Sequence, residues 1–390
     1  IPSFHPLTFR MVSLMLNIRA LHVSWGKMQG VFLHRRVFTQ MKKETVTTNQ
    51  ITEGVIWKQL LLFFFPIVLG TFFQQLYNTA DTIVVGRFVS KEALAAVGGS
   101  AAQIVGLIVG FFVGLASGAS VIISQFYGAK NRVQLNRALH TAYAFSIIGS
   151  IFITVLGILI APWMLELMHT PQETMADALL YLRIYFAGII FVFIYNVGSS
   201  ILRAMGDSRR PLYYLIVCCI LNIVLDIVLV IVFHMGVAGV SIATIFSQGV
   251  SAVLITRALM HSDDLYQLEF RKIRFHKSAL ISLIWVGCPT GIQSVLYSVT
   301  NMLIQTFLNN LGTDTVAAWS AFGKIDSLYW MVNNAFGIAV TTFVGQNFGA
   351  GKYDRMKKSV RIGLCMGLCT ALTLTLIFYN FGTPLFRLFT

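Results

Sequence analysis

Residues 125–142 read QFYGAKNRVQLNRALHTA, and residues 346–363 read QNFGAGKYDRMKKSVRIG. Set 221 residues apart, the two stretches share a glutamine, an aromatic, a Gly-Ala turn and a basic run. Three further pairs fall at nearly the same spacing: LYNTAD (76–81) with LYSVTN (296–301), AAV (95–97) with AAW (317–319), and APWMLELMHT (161–170) with TPLFRLFT (383–390). Apolar composition alone does not produce four matches at one spacing, so the chain contains an internal repeat.

Each quoted stretch is a polar turn between long apolar runs. Of the 390 residues 56% are hydrophobic and only 11% charged, against about 25% charged in a soluble domain. The mean hydropathy is +0.74. Runs of roughly 20 apolar residues, the length that crosses a bilayer as a helix, recur along the chain. They are continuous, without the alternation of a membrane β-barrel. The sequence therefore predicts an all-α polytopic membrane protein with helices at 57–88, 94–125, 136–165, 176–203, 211–233, 237–258, 279–309, 315–345 and 357–386. Pro66 and Pro289, in the first and seventh helices, are expected hinges, because proline removes a backbone donor.

Six helices separate equivalent positions of the repeat. Six is even, so both repeats have the same orientation, related by an axis along the membrane normal. The second repeat reaches only its third helix at Thr390. The expected whole is thus two parallel six-helix repeats, here C-terminally truncated by three helices, with about nine present. The organisation read from the chain is an N-terminal lead-in at 1–56, an N-lobe of six helices at 57–258, a polar basic linker at 259–278 and a partial C-lobe of three helices at 279–390. Within the lead-in, 1–40 reads either as an upstream translated extension before the bacterial-looking start at Met41 or as an amphipathic leader. It has no signal-peptide cleavage pattern.

The formal charge of +14 is not a nucleic-acid signature, since the basic residues lie between the apolar runs. The loops at 126–137, 203–211, 257–278 and 346–361 carry most of them. The opposite loops hold Arg87, Lys91 and Arg183 beside Glu166, Glu173 and Asp177. The positive-inside rule makes the first set cytoplasmic, with the N-terminus inside a bacterial cytoplasmic membrane. The five cysteines all lie in apolar segments with no metal or redox spacing, and read as small buried hydrophobes. The GAKN and GAGK turns lack the full phosphate-loop pattern. No hydrolase, ATPase or metal signature is present, so the reading is not an enzyme and has no cofactor.

Few polar groups lie inside the apolar runs. The most expensive are Asp81 and Asp226, at about 3 kcal/mol each at mid-helix on insertion scales. Asp226 is roughly 12 Å from the outer end of its helix at 1.5 Å per residue. Asp81 and Thr244 come out at a similar depth, and Asn222 shares the face of Asp226 by its i,i+4 spacing. Two carboxylates, an amide and a hydroxyl are all oxygen donors, which suits Na⁺ or a proton. The alternative is a set of interhelical hydrogen bonds. Gln74, Asn78, Tyr195, Gln293, Tyr297, Lys324 and Asp326 are candidates for a substrate cavity; the competing role is interhelical hydrogen bonding for Asn78, Tyr195 and Gln293, and an internal ion pair for Lys324 and Asp326. In RAMGDSRRPL (203–212), Asp207 or Ser208 is expected to cap the fifth helix and Pro211 to start it.

Pro66 followed by LYNTAD, RAMGDSRRP, NIVLD (222–226) and GVAGVSIATIFSQ (236–248) resembles the multidrug and toxic compound extrusion (MATE) transporters, in a bacterial branch similar to the DinF and MepA types. The resemblance covers 41–390. It implies two six-helix lobes around a central cavity, and export of amphipathic cationic drugs by Na⁺ or H⁺ antiport, in a monomer when full length. It also implies a cation site at Asp81, Asn222, Asp226 and Thr244. The chain departs from the NorM type, which carries an acid in the seventh helix: no acid lies between Cys288 and Leu311, and Asn301 stands at the repeat mate of Asp81. The competing functions are a lipid-linked oligosaccharide flippase of the same superfamily, which would need a strongly cationic cavity, and a non-transporting membrane scaffold.

Overall fold

The computed structural model describes residues 50–262, 266–309 and 313–386. The 1–40 extension and the last four residues lie outside them. After a 3₁₀ turn at Gln50–Thr52 the chain forms α1 (Ile56–Phe88), α2 (Lys91–Gly98), α3 (Ser100–Gly128), α4 (Arg132–Leu167), α5 (Gln172–Ala187), α6 (Ile189–Ala204), α7 (Arg209–Asp226), α8 (Gly236–Met260), α9 (Lys277–Asn309), α10 (Thr313–Gly349) and α11 (Tyr353–Phe386). Each of the nine expected helices has a helical counterpart among the described residues. By length and composition seven segments there can cross a membrane, or eight if α5 and α6, bent by 51°, count as one. The prolines at 66 and 289 sit inside continuous helices.

Three expected helices are not single rods. The second is split at Gly99 into α2 and α3, and Ser90 caps α2 by accepting from the Ala93 amide. The fourth is split at Gly188, where only glycine fits, since a Cβ there would run into the Ile245 side chain of α8. The bend exposes the Phe186 carbonyl, which the Thr154 hydroxyl satisfies at 2.8 Å. The fifth leaves α winding after Asp226 and continues as a π-helical turn over Ile227–Val232. At its start Asp207, rather than Ser208, does the capping: its Oδ1 accepts from the Arg209 and Arg210 amides, and Arg210 pairs with its other oxygen.

The polarity of the molecule is inverted relative to a soluble core. Leu159, Trp285 and Val253 are 64–72% exposed, as a lipid-facing surface requires, while Ser124, Thr141, Asn222, Asp226 and Gln346 are fully buried. Cys218 and Cys219 are buried as expected, but Cys365 and Cys369 lie on the exposed face of α11; a thiol is apolar enough for that surface. Over its described residues 266–276 the linker is a loop with a 3₁₀ turn at Phe270–Lys272, held by buried Tyr266 and Leu268 and by the Glu269 amide donating to His140 Nε2 on α4.

α1–α8 pack as one bundle, and α9–α11 meet it along α3 and α1. The two repeats keep their spacing in three dimensions: α1 and α9 both have 33 residues and begin 221 apart. Glycines bring α3 and α9 into backbone contact. A Cβ at Gly118 would lie 2.5 Å from the Gly287 nitrogen, and one at Gly114 would lie 2.6 Å from the Gly291 Cα. Both helices therefore carry a G-x-x-x-G face, the device that lets membrane helices approach closely. The stretches that revealed the repeat touch each other: Gly128 abuts the carbonyl of Gln346, and Gly349 abuts the carbonyl of Gln125. These pairs are exchanged by the 221-residue offset, so the contact is reciprocal across the pseudo-twofold axis.

Candidate functional site

Three helices converge on the buried acids. α1 supplies Asp81, α7 supplies Asn222 and Asp226 on one face, and α8 supplies Thr244; none is more than 7% exposed. The Thr244 hydroxyl lies 3.2 Å from Asp81 Oδ2 and 3.0 Å from the Val240 carbonyl, so its one proton is shared between two acceptors. Asn222 Nδ2 reaches Thr244 Oγ1 at 3.5 Å. Asp81 Oδ1, Asn222 Oδ1 and both oxygens of Asp226 meet no donor among the described residues. Buried oxygens are ordinarily paired, so this set is chemically suited to a bound cation or proton.

One turn away on two of these helices is a layer not read from the sequence as part of the site. Tyr77, four residues before Asp81, accepts from Gln248 Nε2 at 3.0 Å, and Gln248 is four residues after Thr244. The i,i+4 spacing from each site residue was the available signal. No group of three or more His, Cys, Asp or Glu side chains capable of holding a metal is present among the described residues.

The cavity candidates separate. Gln74, Asn78 and Gln293 are exposed, and Tyr297 stacks edge-on against Trp330 at 5.5 Å. Asp326 is half-buried, and the Lys324 side chain lies outside the described residues. Tyr195 is buried, with its hydroxyl donating to the Pro211 carbonyl, where it joins α6 to the start of α7. An apolar, aromatic-lined cavity of about 450 Å³ opens between α1, α10 and α11, bordered by Phe64, Phe65, Val332 and Phe336.

At the end of the bundle that carries the basic loops, the two halves are stapled. Arg355 donates to the carbonyls of Ile51, Glu53 and Gly54 and to Gln59 Oε1, at 2.7–3.2 Å. Lys352 Nζ donates to the Thr52 carbonyl at 2.9 Å, and Gln346 Nε2 to the Ala204 carbonyl at 2.7 Å. Phe64 and Phe336 stack across the same interface with centroids 4.0 Å apart.

Comparison with known proteins accords with this architecture. The MatE family model matches residues 66–228 and again 289–390. The "Probable multidrug resistance protein YpnP" of Bacillus subtilis (strain 168) is 32% identical, over 87% of this chain and 75% of that protein. The "Probable multidrug resistance protein YoeA" of the same organism is 29% identical, over 90% and 77%. A solved structure described as the outward-facing conformation of a multidrug resistance MATE family transporter superposes with a TM-score of 0.82 at 24% identity, covering 89% of this chain and 77% of that one. With the family model matching two segments that together make up most of the chain, on a fold of buried polar groups inside an apolar shell, the chain belongs to the MatE family of membrane transporters.

Proposed function

We propose that this protein exports amphipathic, cationic organic compounds across a bacterial cytoplasmic membrane, driven by inward movement of Na⁺ or H⁺. The observation that carries the reading is the convergence of Asp81, Asn222, Asp226 and Thr244, whose buried oxygens include four without a protein donor. The multidrug names borne by the relatives YpnP and YoeA support the substrate class. The basic-loop end is assigned to the cytoplasm by its charge.

In this mechanism the drug binds between the lobes, near the aromatics of α1 and α10, where a cation gains from ring faces. A coupling cation taken up from outside is held by Asp81 and Asp226. Exchange requires that the two ligands favour different conformations, since a ligand with equal affinity for both states shifts nothing. Pro66 lies one helical half below Asp81 and is the assigned bending point of α1; Pro289 is its counterpart in α9. The chain's own residues supply oxygen ligation, and no cofactor is required.

The test is Asp226→Asn in the full-length gene. The expected result is loss of drug resistance with expression and membrane insertion retained. Efflux equal to wild type would overturn the assignment.

A further inference from the structure

On all three helices that supply the site, the residue one turn further from the basic end is a valine. Val85 follows Asp81 by four, Val230 follows Asp226 by four, and Val240 precedes Thr244 by four. The three are 0–3% exposed and pack together with Val84, Val97 and Val237 in one apolar cluster. Apart from Tyr181 of α5, which packs against it, the cluster is built of aliphatic side chains, and an apolar constriction of this kind blocks passage by excluding water.

The layer has one irregular member. Val85 and Val240 sit in α-helix, but Val230 lies in the π turn Ile227–Val232, where the Phe233 amide reaches the Val228 carbonyl at 3.0 Å. π winding is rare, and single π turns concentrate at functional positions. Its conversion to α winding changes the register by one residue, a rotation of roughly 100° at 3.6 residues per turn. Val230 packs closely on Gly239 of α8, where a Cβ would come within 3.2 Å of Val230 Cγ2. Beyond the turn, His234 and Gly236 both take left-handed backbone conformations, at φ 55°.

We propose that Val85, Val230 and Val240 form the gate through which the coupling cation reaches Asp81 and Asp226, and that the π turn of α7 is its moving part. The inference rests on the reading of the acid cluster as the coupling site.

The experiment measures access directly. The five native cysteines (Cys218, Cys219, Cys288, Cys365 and Cys369) are replaced by alanine, Thr244→Cys places a thiol in the site, and the full-length protein is held in nanodiscs. A small cationic methanethiosulfonate reagent then reports access from either face. The expected result is slow labelling with Val230 present and labelling faster by about tenfold or more, a barrier change of one decade, with Val230→Ala. Val230→Thr keeps the shape but adds a hydroxyl, and serves if the alanine variant does not fold; it is expected to act in the same direction. Val253→Ala, on the exposed face of α8, is expected to leave the rate unchanged. Equal rates with and without the Val230 substitutions overturn the gate: if both are fast the cation uses another route, and if both are slow Val230 does not limit access. Labelling does not depend on drug export, so failure of the gate is distinguishable from failure of the coupling assignment, which Asp226→Asn tests.

Discussion

Asp226 is the residue on which the proposed coupling turns, and its position was legible because an acid in an apolar run has a high cost unless something uses it. Substituting asparagine keeps the shape and one oxygen but removes the ionisable group, so export falls while folding persists. The partners Asn222 and Thr244 were also legible, from helix period and depth. His140 was not. Its Nδ1 lies 2.7 Å from the Asn136 carbonyl and its Nε2 accepts from the Glu269 amide 129 residues away. No local pattern announces such a pairing. His140→Ala leaves the amide and the carbonyl it served without that partner, a loss of about 1–3 kcal/mol. A lowered melting temperature in detergent is the expected outcome, and an unchanged one would show that the linker is not held by this side chain.

At the scale of elements, the helices followed from runs of apolar residues and their basic or glycine-rich ends. What did not follow were the breaks. Only glycine fits at the Gly188 bend because Ile245 of α8 occupies the space a side chain would need, a tertiary fact. The π turn likewise has no sequence signature, since IVLVIV is as compatible with α winding. The glycine faces of α3 and α9 offer a sharp test. Gly118→Ala pushes a methyl group into the backbone of α9, and overpacking of this kind costs about 1–3 kcal/mol. Gly367→Ala on α11 meets nothing within 4 Å and gains about 1 kcal/mol of helix propensity instead. Thermal unfolding is expected to separate the two variants in opposite directions. If both shift alike, the α3–α9 seam is not as close as described.

At the scale of the molecule, the 221-residue repeat was visible as four sequence matches, but its meaning as a contact was not. Nothing in QFYGAK or QNFGAG says that the two turns meet. Nor does the sequence reveal that Arg355 reaches back to carbonyls three hundred residues earlier, although it stands at the repeat mate of Gln134. That arginine closes the basic end, and hydrogen bonds from a charged donor contribute about 1.5–3 kcal/mol. Arg355→Ala is therefore expected to speed amide exchange over residues 50–60 and to shift the population toward molecules open at that end. Hydrogen exchange read by mass spectrometry checks both, and exchange unchanged across that segment would remove the arginine from the closure.

The reciprocal meeting of Gly128 with Gln346 and of Gly349 with Gln125 bears on how the basic end opens. The two contacts lie three residues apart on each helix, 125 and 128 on α3 and 346 and 349 on α10, so parting α3 from α10 at that end severs both in the same movement. Half-parted intermediates lose the packing of both contacts while freeing little space, so the separation is close to all-or-none. A close-packed seam of this kind behaves as a snap fastener, with two settled positions and little residence between them.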